Sequence, residues 1–397
     1  MTEPVAESWF QRLFSYAFRP LFALMTLAAI ILVLRWLHLY FTGVQSSGLA
    51  MPATHWHAHE MLYGLAGAAI AGFLLTAVAK WTNREPVQGL ALQLLVLSWL
   101  AGRLLMAFSA SVPTWLLLLG LVSFWLGLAF LMGRELLAAN NKRNIKVVLL
   151  LAVFGMGELL FVLGFAEQSI RMATFLVVLM ISLIGGRIIP AFTQNWLKFN
   201  RQDGPYPPAF NRFDLSVVVL MMLATLAWAW FPYAAITAAL VTLAGLGLLV
   251  RLLRWQGWRT LKDPLMWSLH LGFAWVALGV LAMGVALWWQ PAYVNAGLHA
   301  LTIGGMMGLI LAVAGRAALG HTGRILQAPF GLTLALLLLN GAALLRLFAP
   351  FSGGTYPYLL LGAGLLWCMA MLSFAWSYLP ILLGPPKYAP LPLMQKG

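Results

Sequence analysis

Charge is scarce in this chain of 397 residues. Only 9% are Asp, Glu, Lys or Arg, against roughly a quarter in soluble domains, which excludes an ordinary soluble enzyme. Acids are scarcest, 10 against 24 Lys and Arg, for a formal net charge of +14. The one cysteine, Cys368, stands in an apolar run, so an intrachain disulfide is excluded and the residue reads as a small core side chain. Residues 1–14 lack the basic stretch and small-residue cleavage site of a signal peptide, so the first apolar run is expected to stay as a spanning helix.

Apolar residues, by contrast, make up 62% of the chain. At roughly 20 to 24 residues per span, about twelve helices take up two thirds of it and leave no room for a soluble domain. The expected fold is an all-α polytopic membrane protein, with residues 1–397 forming a single integral membrane domain. Apolar segments bounded by Pro, Gly and charge clusters place the spans at 17–41, 56–80, 88–110, 113–138, 145–166, 169–193, 213–232, 234–255, 264–289, 293–317, 328–348 and 355–380.

The basic residues have one address. After even-numbered spans come Lys80 and Arg84; Arg134, Lys142, Arg143 and Lys146; Lys198, Arg201 and Arg212; Arg251, Arg254, Arg259 and Lys262; and Arg316 and Arg324. The tails add Arg12, Arg19, Lys387 and Lys396, while Arg171 alone follows an odd-numbered span. This asymmetry predicts that both termini lie in the cytoplasm. It accounts for the net charge through topology and lipid headgroups, without nucleic acid as a partner.

Several ionisable residues fall at membrane depth, where they ordinarily face a bundle interior or a polar site. Arg35, Arg103, Arg346, Glu60 and Glu158 lie toward the outer face, and Arg187 lies near the inner end of the sixth span. Snorkelling is an equal alternative for Arg35 and Arg346, both close to the interface. Arg103, Glu60 and Glu158 are read as an internal polar site with catalytic potential.

Histidine is the informative residue type. Three of seven fall in His55-Trp56-His57-Ala58-His59-Glu60, at the outer start of the second span, with Thr54 as an expected helix N-cap. In a helix His55 and His59 share a face, and His57 points nearly opposite. Either one face supplies two ligands to one metal, or His57 and His59 serve separate centres. Imidazole is the common ligand for haem iron, copper and zinc. His299 lies at matching depth in the tenth span, and a histidine on each of two helices at one depth suits axial ligation of a b-type haem. Small residues such as Gly64, Gly67, Gly297, Gly304 and Gly305 are candidates to make room for it, although they equally serve helix packing. Met306 and Met307 are candidate copper or haem ligands, with packing the commoner role. Toward the cytoplasm, His270, His321, Arg187, Arg316 and Arg324 are candidates for a second site, for haem propionates or another anion.

Two spacings hint at internal repetition. His59 to Thr82 and His299 to Thr322 are both separations of 23, and Arg187 to Thr193 and Arg316 to Thr322 are both separations of six. The second, sixth and tenth spans are four apart, which suggests three four-helix units. The layout resembles the catalytic subunit of haem-copper oxidases, where histidines on helices 2 and 10 hold a low-spin haem, as His57 or His59 and His299 would here. That family also needs copper-ligating histidines on helices 6 and 7, and this chain has none there.

A closer resemblance is to the NnrS family. It rests on Trp56-His57-Ala58-His59-Glu60-Met61, Gly72-Phe73-Leu74-Leu75-Thr76-Ala77 with Trp81-Thr82, and Trp99-Leu100-Ala101-Gly102-Arg103. It continues in Gly185-Gly186-Arg187-Ile188-Ile189-Pro190, His270-Leu271-Gly272 and Gly320-His321-Thr322-Gly323-Arg324. The resemblance implies a bacterial inner-membrane protein containing haem and copper, linked to denitrification and to defence against nitric oxide. One or two b haems are expected, two only if His270 or His321 also ligates. Three functions follow in order: an oxidoreductase reducing nitric oxide with electrons from a quinol or other donor, a protein that binds or senses nitric oxide without turnover, and a secondary transporter.

Overall fold

The computed structural model describes residues 8–43 and 48–387; Lys396 lies outside them. Among these residues no strand occurs, and twelve helices are long and apolar enough to cross a membrane. They are α1 (Phe18–Thr42), α2 (Ala53–Thr82), α3 (Gly89–Ala107), α4 (Thr114–Ala138), α5 (Lys142–Val162) and α6 (Ala166–Phe199). Then follow α7 (Arg212–Trp230), α8 (Ala235–Arg254), α9 (Pro264–Trp289), α10 (Pro291–His321), α11 (Phe330–Phe351) and α12 (Gly353–Leu383). The expected spans therefore hold, with α2, α6, α10 and α12 longer than hydropathy alone indicated. One detail differs: α2 starts at Ala53 behind Pro52, so Thr54 sits inside the first turn and does not cap it.

Neighbours in sequence pack as neighbours in space, and α12 returns to α1, closing a ring. Trp367 Nε1 donates to Ala29 O at 2.9 Å, and Arg19 Nη1 donates to Leu382 O at 2.7 Å and Gly384 O at 2.9 Å. The second pair satisfies carbonyls that the last turn of α12 leaves free. Inside the ring α2, α6 and α10 touch one another. These are the three most buried spans.

Each inner helix also contains a π-helical stretch: Glu60–Ala66 in α2, Ile181–Gly185 in α6 and Ala300–Met307 in α10. A π turn breaks the i→i+4 ladder and needs outside partners. Trp99 Nε1 donates to Gly64 O at 2.9 Å, and Arg251 Nη1 donates to Ser182 O at 3.0 Å. Arg251 also pairs with Asp214, Nε to Oδ1, at 2.9 Å.

Around α9 the helices approach through glycine, the usual device where lipid offers no hydrophobic drive between helices. A β-carbon on Gly279 would stand 2.6 Å from Leu301 N, and one on Gly297 would stand 2.7 Å from Met283 N. Both neighbours are backbone and cannot turn aside. Gly279→Val and Gly297→Val are each expected to lower stability by ~1–3 kcal/mol, the usual cost of overpacking. Gly354→Ala, with nothing within 4 Å of the new carbon, should be neutral. Thermal unfolding of detergent-solubilised protein measures the difference.

Candidate functional site

At the end of the bundle that carries few Lys or Arg, a cavity of about 340 Å³ opens between α1, α2, α10, α11 and α12, with Ile170 and Thr174 of α6 at its edge. His57 and His299 both line it. His57 lies flat on Trp36, with ring centroids 4.6 Å apart and 16° between planes, and its buried Nδ1 has no hydrogen-bond partner. The ring is braced by stacking, and no hydrogen bond holds Nδ1.

His299 is held the opposite way. Its Nδ1 lies 2.8 Å from Asn295 O, a contact in which only the ring nitrogen can donate. That bond assigns the hydrogen to Nδ1 and leaves Nε2 as an acceptor. Arg346 Nη2 donates to Nε2 at 3.0 Å and also reaches Tyr356 Oη through Nη1 at 3.3 Å. An imidazole fixed through Nδ1 on a backbone carbonyl is the usual posture of a metal-binding histidine. Arg346 is buried, and among the described residues it forms no ion pair with an acid. Sequence reading noted its depth but left it out of the site. The remaining walls are mostly apolar and include the thioethers of Met61, Met306 and Met307.

His59, two residues from His57, faces the other side of α2. It is fully buried, with Nδ1 3.1 Å from Glu60 Oε1 and Nε2 2.6 Å from Glu158 Oε2. Arg103 Nη1 donates to Glu60 Oε1 at 2.8 Å, and Trp125 Nε1 donates to Glu158 Oε1 at 3.2 Å. The structure thus brings Glu60, Arg103 and Glu158 together with His59, and separates all four from the cavity lining. A neutral imidazole has one N–H, yet both nitrogens here meet carboxylates. The unit therefore holds an extra proton, either as imidazolium between two carboxylates or on one carboxyl group. With imidazolium and Arg103, two positive charges balance two negative ones.

The other candidates are dispersed. His55 is half-buried at the start of α2, outside the cavity lining. Gly64 seats Arg103, and Gly304 lies against Trp275, so neither makes room in the cavity; Ala58, Ala66, Ala363 and Gly364 do. Toward the basic end His270 Nε2 meets Thr193 Oγ1 at 2.9 Å, and Arg316 covers the neighbouring Phe192 ring at 4.3 Å. Arg187 lies over Phe210. His321 packs against Tyr16 and Phe18, and Arg324 reaches Pro385 O. The basic-end set is three neighbourhoods instead of one pocket. Among the described residues no group of three or more His, Cys, Asp or Glu side chains, the His59 unit included, is arranged to hold a metal ion.

Nine apolar helices ringed around three inner ones, with an internal histidine cavity and a buried carboxylate–histidine unit, define a polytopic membrane protein built around an intramembrane polar centre. The chain belongs to the NnrS family, whose model, described as NnrS protein, matches residues 12–385. Membership supports a role in the response to nitric oxide. No curated protein matches the chain.

Removing one member of a buried ion cluster is worse than removing a matched pair, because the orphaned charge stays behind. Arg103→Leu should cost ~3–5 kcal/mol, and adding Glu60→Leu should restore part of that loss. Thermal unfolding of the two single variants and the double variant reads the coupling.

Proposed function

We propose that this protein handles nitric oxide at a b-type haem held by His57 and His299 near the outer face of a bacterial cytoplasmic membrane. The observation that carries this reading is the convergence of two imidazoles, from α2 and α10, on one cavity beside the acid-free cation Arg346. The residues present fit the group. His299 would offer Nε2, its tautomer set by Asn295, once Arg346 releases it, and His57 has no competing hydrogen bond at Nδ1. Arg346 would supply the counter-charge for a propionate. When bound, haem would supply an iron centre for electron transfer to nitric oxide.

The chain's own groups supply position, dryness and protons. Apolar walls exclude water and strengthen each polar contact within. The His59–Glu60–Glu158 unit stores a proton one helix face away, and intramembrane carboxylates of this kind serve proton relay. Reduction of two nitric oxide molecules by a quinol gives nitrous oxide, water and quinone, a reaction that needs both electrons and protons delivered. Met61, Met306 and Met307 line the same cavity as the two imidazoles, and thioether and imidazole are donor types that suit copper(I). Because the carboxylate unit contributes no side chain to the cavity, capture of nitric oxide without turnover is the alternative. Nitrous oxide production separates the two. The recurrence of π segments in α2, α6 and α10 supports three related four-helix units.

Purified protein is expected to show one b haem per chain by pyridine haemochrome. His57→Ala and His299→Ala should each lose it, whereas His59→Ala keeps it and slows quinol-driven nitric oxide loss. Full haem content in both cavity variants would overturn the ligand assignment. Orientation has its own check: green fluorescent protein fused after Lys387 should fluoresce, and alkaline phosphatase fused at Phe108 should be active.

A further inference from the structure

A second cavity, of about 120 Å³, lies at the centre of the fold, where α2, α6 and α10 meet under Phe22 of α1 and Leu269 of α9. Every side chain lining it is apolar. All three π segments contribute to its wall: Ala66 from α2, Ile181 and Ile184 from α6, and Met306 from α10. Such stretches concentrate at functional sites, and a turn closed i→i+5 swells the helix that contains it. Three swollen turns converging on one void leave the inner helices unable to close against one another there.

The occupant follows from chemistry and size. Nothing in the wall donates or accepts a hydrogen bond, so water has no partners and ions no counter-charge. An enclosed apolar protein cavity of about 150 Å³ stays dry and takes benzene or xenon; this one is slightly smaller and partly open, with Ile70, Phe73, Ile184 and Ile188 of its wall half-buried. Ala66, Met306 and Ile310 line both this void and the histidine cavity, so they form the partition between the two. We infer that the centre of the fold is a dry docking site for a small uncharged gas, from which the gas passes between these three side chains to the histidine cavity. Naming the gas nitric oxide rests on the functional reading above; the site itself does not.

Xenon is the probe, since its binding needs neither haem nor turnover. Crystals of the purified protein pressurised with xenon should show an anomalous peak between Ala69, Ile184 and Ile310. Ala69→Phe fills the void from α2 without touching the histidine cavity, and Ala314→Leu fills it from α10. Each variant, checked for unchanged elution and helicity, should lose the peak and slow nitric oxide association with the reduced protein severalfold at unaltered haem content. A protein that takes xenon but contains no haem would leave the gas site standing and remove the nitric oxide reading. Absence of xenon from the unaltered protein, or lipid or detergent density filling the void, would overturn the gas site. Unchanged association rates in both filled variants would overturn the passage.

Discussion

A charge carried into a ring of apolar helices must meet its opposite there, and most of the polar architecture answers to that constraint. Glu60 and Glu158 are held by Arg103, His59 and Trp125. Asp214 is held by Arg251 and Arg254. Glu135 lies between Arg84 and Arg134, and even the misplaced Arg171 has Glu167 one turn away. Arg346 breaks the pattern. It enters a buried cavity and finds two histidines and a tyrosine. Like Arg35, Arg187 and Arg316, it is met among the described residues by neutral partners, carbonyls, rings or sulfur, and by no acid.

The spans were legible because hydropathy and loop charge are one-dimensional signals, and a helix of twenty residues leaves little freedom about where it can lie. The split between His57 and His59 was half legible. Two residues are 200° apart in a helix, so they had to face different neighbours, but which neighbours is a matter of tertiary packing. Sequence spacing favoured neither; the pairing of Glu158 with His59 joins residues 99 positions apart. Glycine misled in a specific way. Gly64 and Gly304 have the small side chain a cofactor pocket wants, yet their space is spent on Arg103 and Trp275, and the cavity is cleared by alanines and Gly364 instead. Arg346 stands near a helix end, so its sequence position leaves snorkelling and an internal site equally open, and its neighbours give it an inward course.

The π segments were not legible at all. They carry no compositional mark, since a π turn in an inner helix is set by what its neighbours offer the interrupted ladder. In α2 the offer is the Trp99 indole, and in α6 it is Arg251. The polar groups that look like isolated curiosities in the sequence are thus partly structural, holding the irregular turns around which the inner helices are arranged.

This places α2 in an unusual position. One of its faces carries His57 into the cavity and the other carries His59 and Glu60 into the carboxylate unit, with the π stretch beginning immediately below. The helix is therefore the wall between the two. Because the two imidazoles hang from the same turn, a rotation of that turn about the helix axis cannot move one without moving the other. The Trp99 bond to Gly64 and the Arg103 bond to Glu60 both come from α3 and oppose such a rotation from one side, while the Trp36 stack opposes it from α1. A single turn of helix, clamped from both sides, holds the two imidazoles in one fixed register.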